Sequence, residues 1–158
     1  MLKKIKDNRG SGFVFGTAFA LFVMLIFSCV MIYVQNMYTI FYIRKEAQET
    51  LDRYTTEQGE LAMCNIKNGS NYIVMIDGTV LYNEITNELG TDDSGTVYEN
   101  DRERFKITGA DLKYTADDSL NTTATVSMDI PVYFMNSKIL TGSGTLVVHS
   151  KYILKAGE

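Results

Sequence analysis

His149 is the sole imidazole in a chain of 158 residues, and Cys29 and Cys64 are its only thiols. His149 lies in an alternating run with Val147, Lys151 and Ile153. That is the period of a strand, so a structural or solvent-facing role is expected for it. No serine sits in a nucleophile elbow, no glycine-rich phosphate loop follows a strand, and no Cys/His set has metal-ligand spacing. Asp92, Asp93, Glu99, Asp101 and Glu103 could gather round calcium, but they do not follow the D-x-[DN]-x-[DN]-G ligand order. They read as a solvated acidic loop, and Asp117 and Asp118 read the same way. Asn68-Gly-Ser and Asn121-Thr-Thr fit the glycosylation triplet, a pattern short enough to arise by chance. Cys29 falls in an apolar run and Cys64 in the later polar region, so the two cannot meet within one molecule; Cys64 could pair with another chain, but a buried free thiol is the preferred expectation. The chain is therefore not expected to be an enzyme, and no cofactor, metal or small-molecule substrate is expected.

Charge is distributed unevenly. Residues 1–12 carry Lys3, Lys4, Lys6 and Arg9 against Asp7, a net +3, whereas residues 44–158 hold 11 basic and 18 acidic side chains, a net −7. No basic face is available to neutralise phosphates, so direct nucleic-acid binding is not expected. A basic tip on an acidic body suits a membrane protein.

Between Gly10 and Ile43 no residue is charged. The 22 residues from Phe13 to Val34 would extend about 33 Å as a helix, enough to cross a bilayer core of about 30 Å. A secretory signal has a shorter apolar region and a small-x-small cleavage site. Here bulky residues follow instead, so the segment reads as a permanent anchor. Lys3, Lys4, Lys6 and Arg9 outnumber Arg44 and Lys45 on the other flank. The positive-inside rule then places the N-terminus in the cytoplasm and the C-terminal body outside the cell membrane.

Helical periodicity continues past the apolar run. Ile40, Ile43, Ala47, Leu51 and Tyr54 recur at three- and four-residue steps, and Lys45–Glu49 and Glu49–Arg53 are spaced for weak ion pairs. One helix from Phe13 to Gln58, interrupted or ended by Gly59, is predicted. Residues 65–71 read as a loop, 71–76 as an extended piece, and 79–89 as a short helix ended by Gly90. Asp77-Gly78 also carries a hairpin signal. The polar tract 91–103 reads as a surface loop.

The last third is β-like. Ala124, Val126, Met128, Ile130, Val132 and Phe134 alternate with polar residues, except that Pro131 demands an edge or a bulge. Phe105 and Ile107 alternate in one phase and Leu112 and Tyr114 in the other, as a bulge near Gly109 would produce. Residues 145–154 supply a third strand, with 116–121 and 136–144 as connecting loops. The predicted fold class is α+β: a long transmembrane-to-amphipathic helix packed on a small antiparallel sheet of about three strands, with a short extra helix. The corresponding division is a basic leader at 1–12, a membrane helix at 13–34, its amphipathic continuation at 35–58, and an extracytoplasmic domain at 59–158.

The membrane run carries the strongest recognition signal. Gly12, Gly16 and Ala20 are four residues apart and share one helix face, which lets a second helix approach closely. Thr17 and Ser28 could add interhelical hydrogen bonds. No ionisable group lies within the run, so an ion or proton pathway is not expected.

A basic leader, "NRGSGF", a long apolar-to-amphipathic helix and a small α/β body together resemble the TadE-like group of type IV pilin-like proteins, including relatives in Gram-positive conjugative or mobile elements. The resemblance implies removal of the leader by a prepilin peptidase on the cytoplasmic face. Processing would fall after Gly10, exposing Ser11, or after Gly12, exposing Phe13. It also implies that the helix packs with other pilin-like subunits or assembly-platform proteins of a surface appendage, secretion or conjugative DNA-transfer apparatus. Many such proteins have glutamate at the fifth mature position, where here Phe15 or Thr17 stands, according to the cut. The alternative is a membrane-tethered binding module that captures a ligand at an open sheet edge. On that reading the piece 45–158 would fold alone.

Overall fold

Two helices and four strands follow one another as α1 (Arg9–Lys67), α2 (Gly78–Glu88), β1 (Thr96–Glu99), β2 (Arg102–Ala116), β3 (Ser119–Phe134) and β4 (Ser137–Ile153). They belong to a computed structural model that describes residues 9–69, 76–116, 119–134 and 137–154. The class is α+β, as the residue pattern predicts. The chain divides between Met37 and Tyr38 into two units, so the amphipathic continuation belongs with the body and not with a segment of its own.

In the first unit α1 is helical from Arg9, which takes in part of the predicted leader. Its apolar side chains from Phe13 to Val34 are exposed or half-buried, with none buried.

The second unit is organised by the other part of α1. Ile43, Ala47, Leu51 and Tyr54 are buried, and Ile40 is packed against them. These are the residues of the predicted stripe, and they meet Phe105, Ile107, Ala124, Val126, Met128, Ile130, Leu146 and Val148 of the sheet. Burying an aliphatic side chain of this kind contributes about 1.5–3 kcal/mol, so the stripe is a principal source of the unit's stability. Lys45 pairs with Glu49 at 3.5 Å as expected. Arg53 turns instead to α2, reaching Glu88 at 2.8 Å and Glu84 at 4.0 Å.

Gly59 neither ends nor interrupts the helix. It is buried, and a Cβ there would collide with the ring of Tyr152. The residue is small because strand β4 approaches closely, and the helix continues for two further turns. Gly69, at φ 72°, closes it, with its N–H donating to the Ile66 carbonyl at 3.1 Å. The predicted loop at 65–71 therefore starts only at Asn68. A smaller cluster, Ala62 and Leu120 with Tyr152 and Leu154, fills the space beside these last turns.

Asp77-Gly78 opens a helix and makes no hairpin. The Asp77 carboxylate accepts from the Thr79 N–H at 2.8 Å, an N-cap bond that satisfies one of the orphan donors of α2. Leu81, Ile85 and Leu89 turn into the core, and Gly90 follows at φ 66°. Of the extended piece expected at 71–76, residues 71–75 lie outside the described residues, and Ile76 is not in a strand.

The sheet is antiparallel in the order β1-β2-β3-β4, one strand more than predicted. The extra strand, β1, lies within the tract read as a surface loop. Asn100 and Asp101 have φ of 53° and 61° and connect the paired residues Glu99 and Arg102. Two consecutive positive-φ residues between paired strands are the geometry of a tight hairpin. Residues 137–144, read as a connection, belong to β4. Between Ile107 and Gly109 the β2–β3 register shifts by one residue. This is the predicted bulge, and it turns both Ile107 and Leu112 toward the helix despite their odd spacing. Pro131 lies beyond the last β2 pairing and is matched only to Thr141 of β4. Although β3 is internal, Pro131 thus sits where the strand has a single neighbour.

Ile43 is fully buried, Thr39 is nearly so, and Tyr42 packs on Phe105 with ring centroids 6.4 Å apart. A piece beginning at residue 45 would lack these core groups, which argues against its independent folding.

Candidate assembly surfaces

Among the described residues, α1 is the one helix long and apolar enough to cross a membrane, and none of its apolar stretch is buried. Gly12, Gly16 and Ala20 are exposed on it. A Cβ placed on Gly12 or Gly16 would meet nothing within 4 Å. No described residue therefore demands their small size, in contrast to Gly59. The Thr17 hydroxyl donates to the Phe13 carbonyl and the Ser28 hydroxyl to the Met24 carbonyl, both at 2.9 Å. Their protons are thus committed to their own helix, which leaves only lone pairs for a neighbour. Arg9, Gly10 and Ser11 are helical and Phe13 is exposed. Lys3, Lys4 and Lys6 lie outside the described residues.

The groups that could do chemistry are spread apart. His149 is exposed, and its Nδ1 lies 2.9 Å from the Thr123 hydroxyl. Cys64 is an exposed free thiol on α1, contrary to the expectation of burial, because it falls off the buried stripe. No group of three or more metal-ligating side chains converges among the described residues. Glu99 faces Arg104 at 3.4 Å and Glu103 faces Lys138 at 2.7 Å. These two carboxylates of the acidic tract are spent on cations.

Asp92 organises a turn. Its Oδ1 accepts from the Ser94 N–H at 2.9 Å, the Ser94 hydroxyl at 2.7 Å and the Thr96 N–H at 2.8 Å. Hydrogen bonds from Thr96 and Ser94 favour the ionised form and hold this carboxyl below its ordinary range. A shallow polar pocket of about 260 Å³ lies beside this turn, lined by Tyr82, Asn83, Thr86, Asn87 and Asp93 among others. It is lined by no histidine or cysteine.

The structure identifies the open sheet edge considered from sequence and adds a surface that sequence did not show. Strand β4 lies at the sheet edge, and its first nine residues are all exposed. Phe134, Ile139 and Leu140, at the turn end of the β3–β4 hairpin, are exposed apolar residues. Strand periodicity alone would put Phe134 in the core with Ile130. The core ends sooner because buried side chains of α1 are found no earlier than Thr39. Comparison of the chain with family models, with curated proteins and with solved structures finds no match to any of them.

Proposed function

We propose that the chain is a single-pass, membrane-anchored structural subunit that works by assembly and not by catalysis, in the manner of a minor or accessory pilin-like protein of a surface, secretion or conjugative apparatus. The observation that carries this reading is the unburied apolar face of α1 from Phe13 to Val34, which no other described residue covers. Lipid is the medium in which such a surface is stable. Unforced glycines at 12 and 16, in register with Ala20, support a second helix as the neighbour on one side. The basic residues Lys3, Lys4, Lys6 and Arg9 support a cytoplasmic N-terminus, with the body from Tyr38 on the outer side.

Cysteines placed singly at Gly12, Gly16 and Ala20, in a chain lacking Cys29 and Cys64, test the packing face. Oxidation in membranes is expected to trap a dimer or partner adduct at these positions and not at Phe15 or Val14. Equal adducts at all positions, or none, would remove the packing reading. The mass of the membrane-extracted N-terminus decides processing: a start at Ser11 or Phe13 supports a prepilin peptidase, and an intact Met1 opposes it.

A second reading, a tethered module that binds an extended peptide, is favoured by the exposed edge of β4. Replacing residues 13–34 by an unrelated membrane helix separates the two. The module would keep its function and the packing subunit would lose it.

A further inference from the structure

The chain enters the second unit at Tyr38, and that end of the unit carries exposed apolar side chains among charged ones. Tyr42 touches Phe105, and the Arg104 guanidinium lies 5.4 Å from the centre of the Tyr42 ring. Two residues away along β2, Arg102 lies 5.9 Å from the centre of the Tyr133 ring, while Glu103 holds Lys138 at 2.7 Å. The turn end of the β3–β4 hairpin therefore stands at the end of the sheet where α1 enters. It exposes Phe134 at 41%, Ile139 at 63% and Leu140 at 63%, and Tyr38 and Phe41 of α1 are exposed as well. These residues lie at the extremity of the unit, past the buried core residues Ile43 and Ile130.

Chain length limits where this end can be. Val34, the last residue of the apolar run, precedes Tyr38 by four residues, which reach at most about 14 Å in any conformation. If Phe13–Val34 crosses the bilayer, the surface round Tyr38 lies within that distance of the hydrocarbon boundary. Charge agrees with this placement. Segments 38–46, 99–104, 131–134 and 137–141, at this end, hold five basic and four acidic residues. The remainder of 44–158 holds six basic and 14 acidic residues, so the repulsion from anionic headgroups falls on the far parts of the unit.

We propose that the hairpin end, through Phe134, Ile139 and Leu140, seats in the headgroup region of the bilayer and gives the folded unit its own contact with lipid. The inference rests on reading α1 as membrane-spanning. Apolar and aromatic side chains gain free energy at this depth, and Lys138 on the same hairpin is long enough to keep its ammonium in the polar layer.

The chain has no tryptophan, so a single introduced indole reports its own surroundings. Full-length Phe134→Trp, Phe22→Trp and Tyr114→Trp variants are reconstituted in phosphatidylcholine–phosphatidylglycerol vesicles, with or without acyl-chain-brominated phosphatidylcholine. Tyr114 is the exposed reference, since it pairs with Thr122 toward the opposite end of the sheet. The expected result is strong quenching of F22W, clear but weaker quenching of F134W with a blue-shifted emission, and no quenching of Y114W. Adding Ile139→Glu and Leu140→Glu to F134W is expected to restore its emission; the same pair added to F22W leaves quenching unchanged. Quenching of F22W with none of F134W overturns the inference and leaves the anchor standing. So does equal quenching of F134W and Y114W, or an F134W blue shift that follows protein-to-lipid ratio without quenching, which would make a second copy the occupant. An unquenched F22W overturns the anchor itself and this inference with it.

Discussion

Helix α1 is one secondary-structure element with two surfaces. From Gly12 to Met37 apolar residues cover it all round, and none of these residues is buried. From Thr39 to Ala62 the buried residues fall on one stripe, and Ile43, Ala47 and Leu51 of that stripe are wholly buried against the sheet. Backbone propensity does not distinguish the two parts, since both are helical. The distribution of polar side chains does. An all-round apolar helix needs a surrounding solvent of lipid or of other helices, whereas a striped helix needs a single partner face, which the same chain supplies.

The contrast is most easily broken at Leu51. Leu51→Ala in the full chain is expected to lower the stability of the second unit by about 2–5 kcal/mol, read from urea unfolding in detergent by sheet circular dichroism. Leu25→Ala, in the other part, should leave that unfolding curve in place; equal shifts would mean that the two surfaces are not distinct. Next in size, Leu25→Arg puts a charge midway along the apolar run and is expected to cost about 3 kcal/mol of insertion. The fraction of chain that resists alkaline extraction from membranes should fall while the soluble fraction keeps its sheet signal. A smaller effect separates the glycines. Gly59→Ala forces the Tyr152 ring to move and should destabilise the unit by about 2 kcal/mol. Gly16→Ala meets open space and should change only association, read by crosslinking.

The smallest expected effect concerns pH. Between Gly10 and Ile43 there is no charged side chain, so the apolar run offers no carboxylate to titrate, whereas the second unit does. Asp92 has a folded pKa below its unfolded value of about 3.9. Its stabilisation is therefore fully present above that value and is lost as pH falls through the folded pKa. Asp92→Ala should lower the Tm at neutral pH, and the two melting temperatures should converge at the acid end. A gap that persists in acid would mean that the side chain acts by packing and not by charge.

How much of this was legible in the sequence follows the same physical divide. Where apolar spacing is regular, the reading holds residue for residue: the stripe from Ile43 to Tyr54, the inward positions Ala124 to Ile130, and even the bulge that inverts the phase between Ile107 and Leu112. Failures occur where one residue type serves two purposes. Glycine at 59 reads as a helix stop, yet here it admits an aromatic ring from a strand some 90 residues later. The β1–β2 hairpin escaped because five of the six residues from Glu99 to Arg104 are charged and mask the Asn100-Asp101 turn. Residues 137–144 were lost because glycine and serine look like a loop, while pairing with β3 makes them a strand. The exposed hairpin end was hidden by a sound period that runs past the end of its cover. The four-residue spacing of Gly12, Gly16 and Ala20 marks one candidate surface, whereas the β4 edge and the hairpin end leave no period of their own in the sequence.

The core contributions of Thr39, Ile43 and Ala47 also constrain how this protein could ever be shed. A protease that cuts α1 beyond Thr39 takes away part of the wall against which the sheet is folded. What it releases is a damaged remnant and not a diffusible domain. Intact liberation is confined to the few peptide bonds between the apolar run and Thr39, a window short enough for the lipid surface itself to guard.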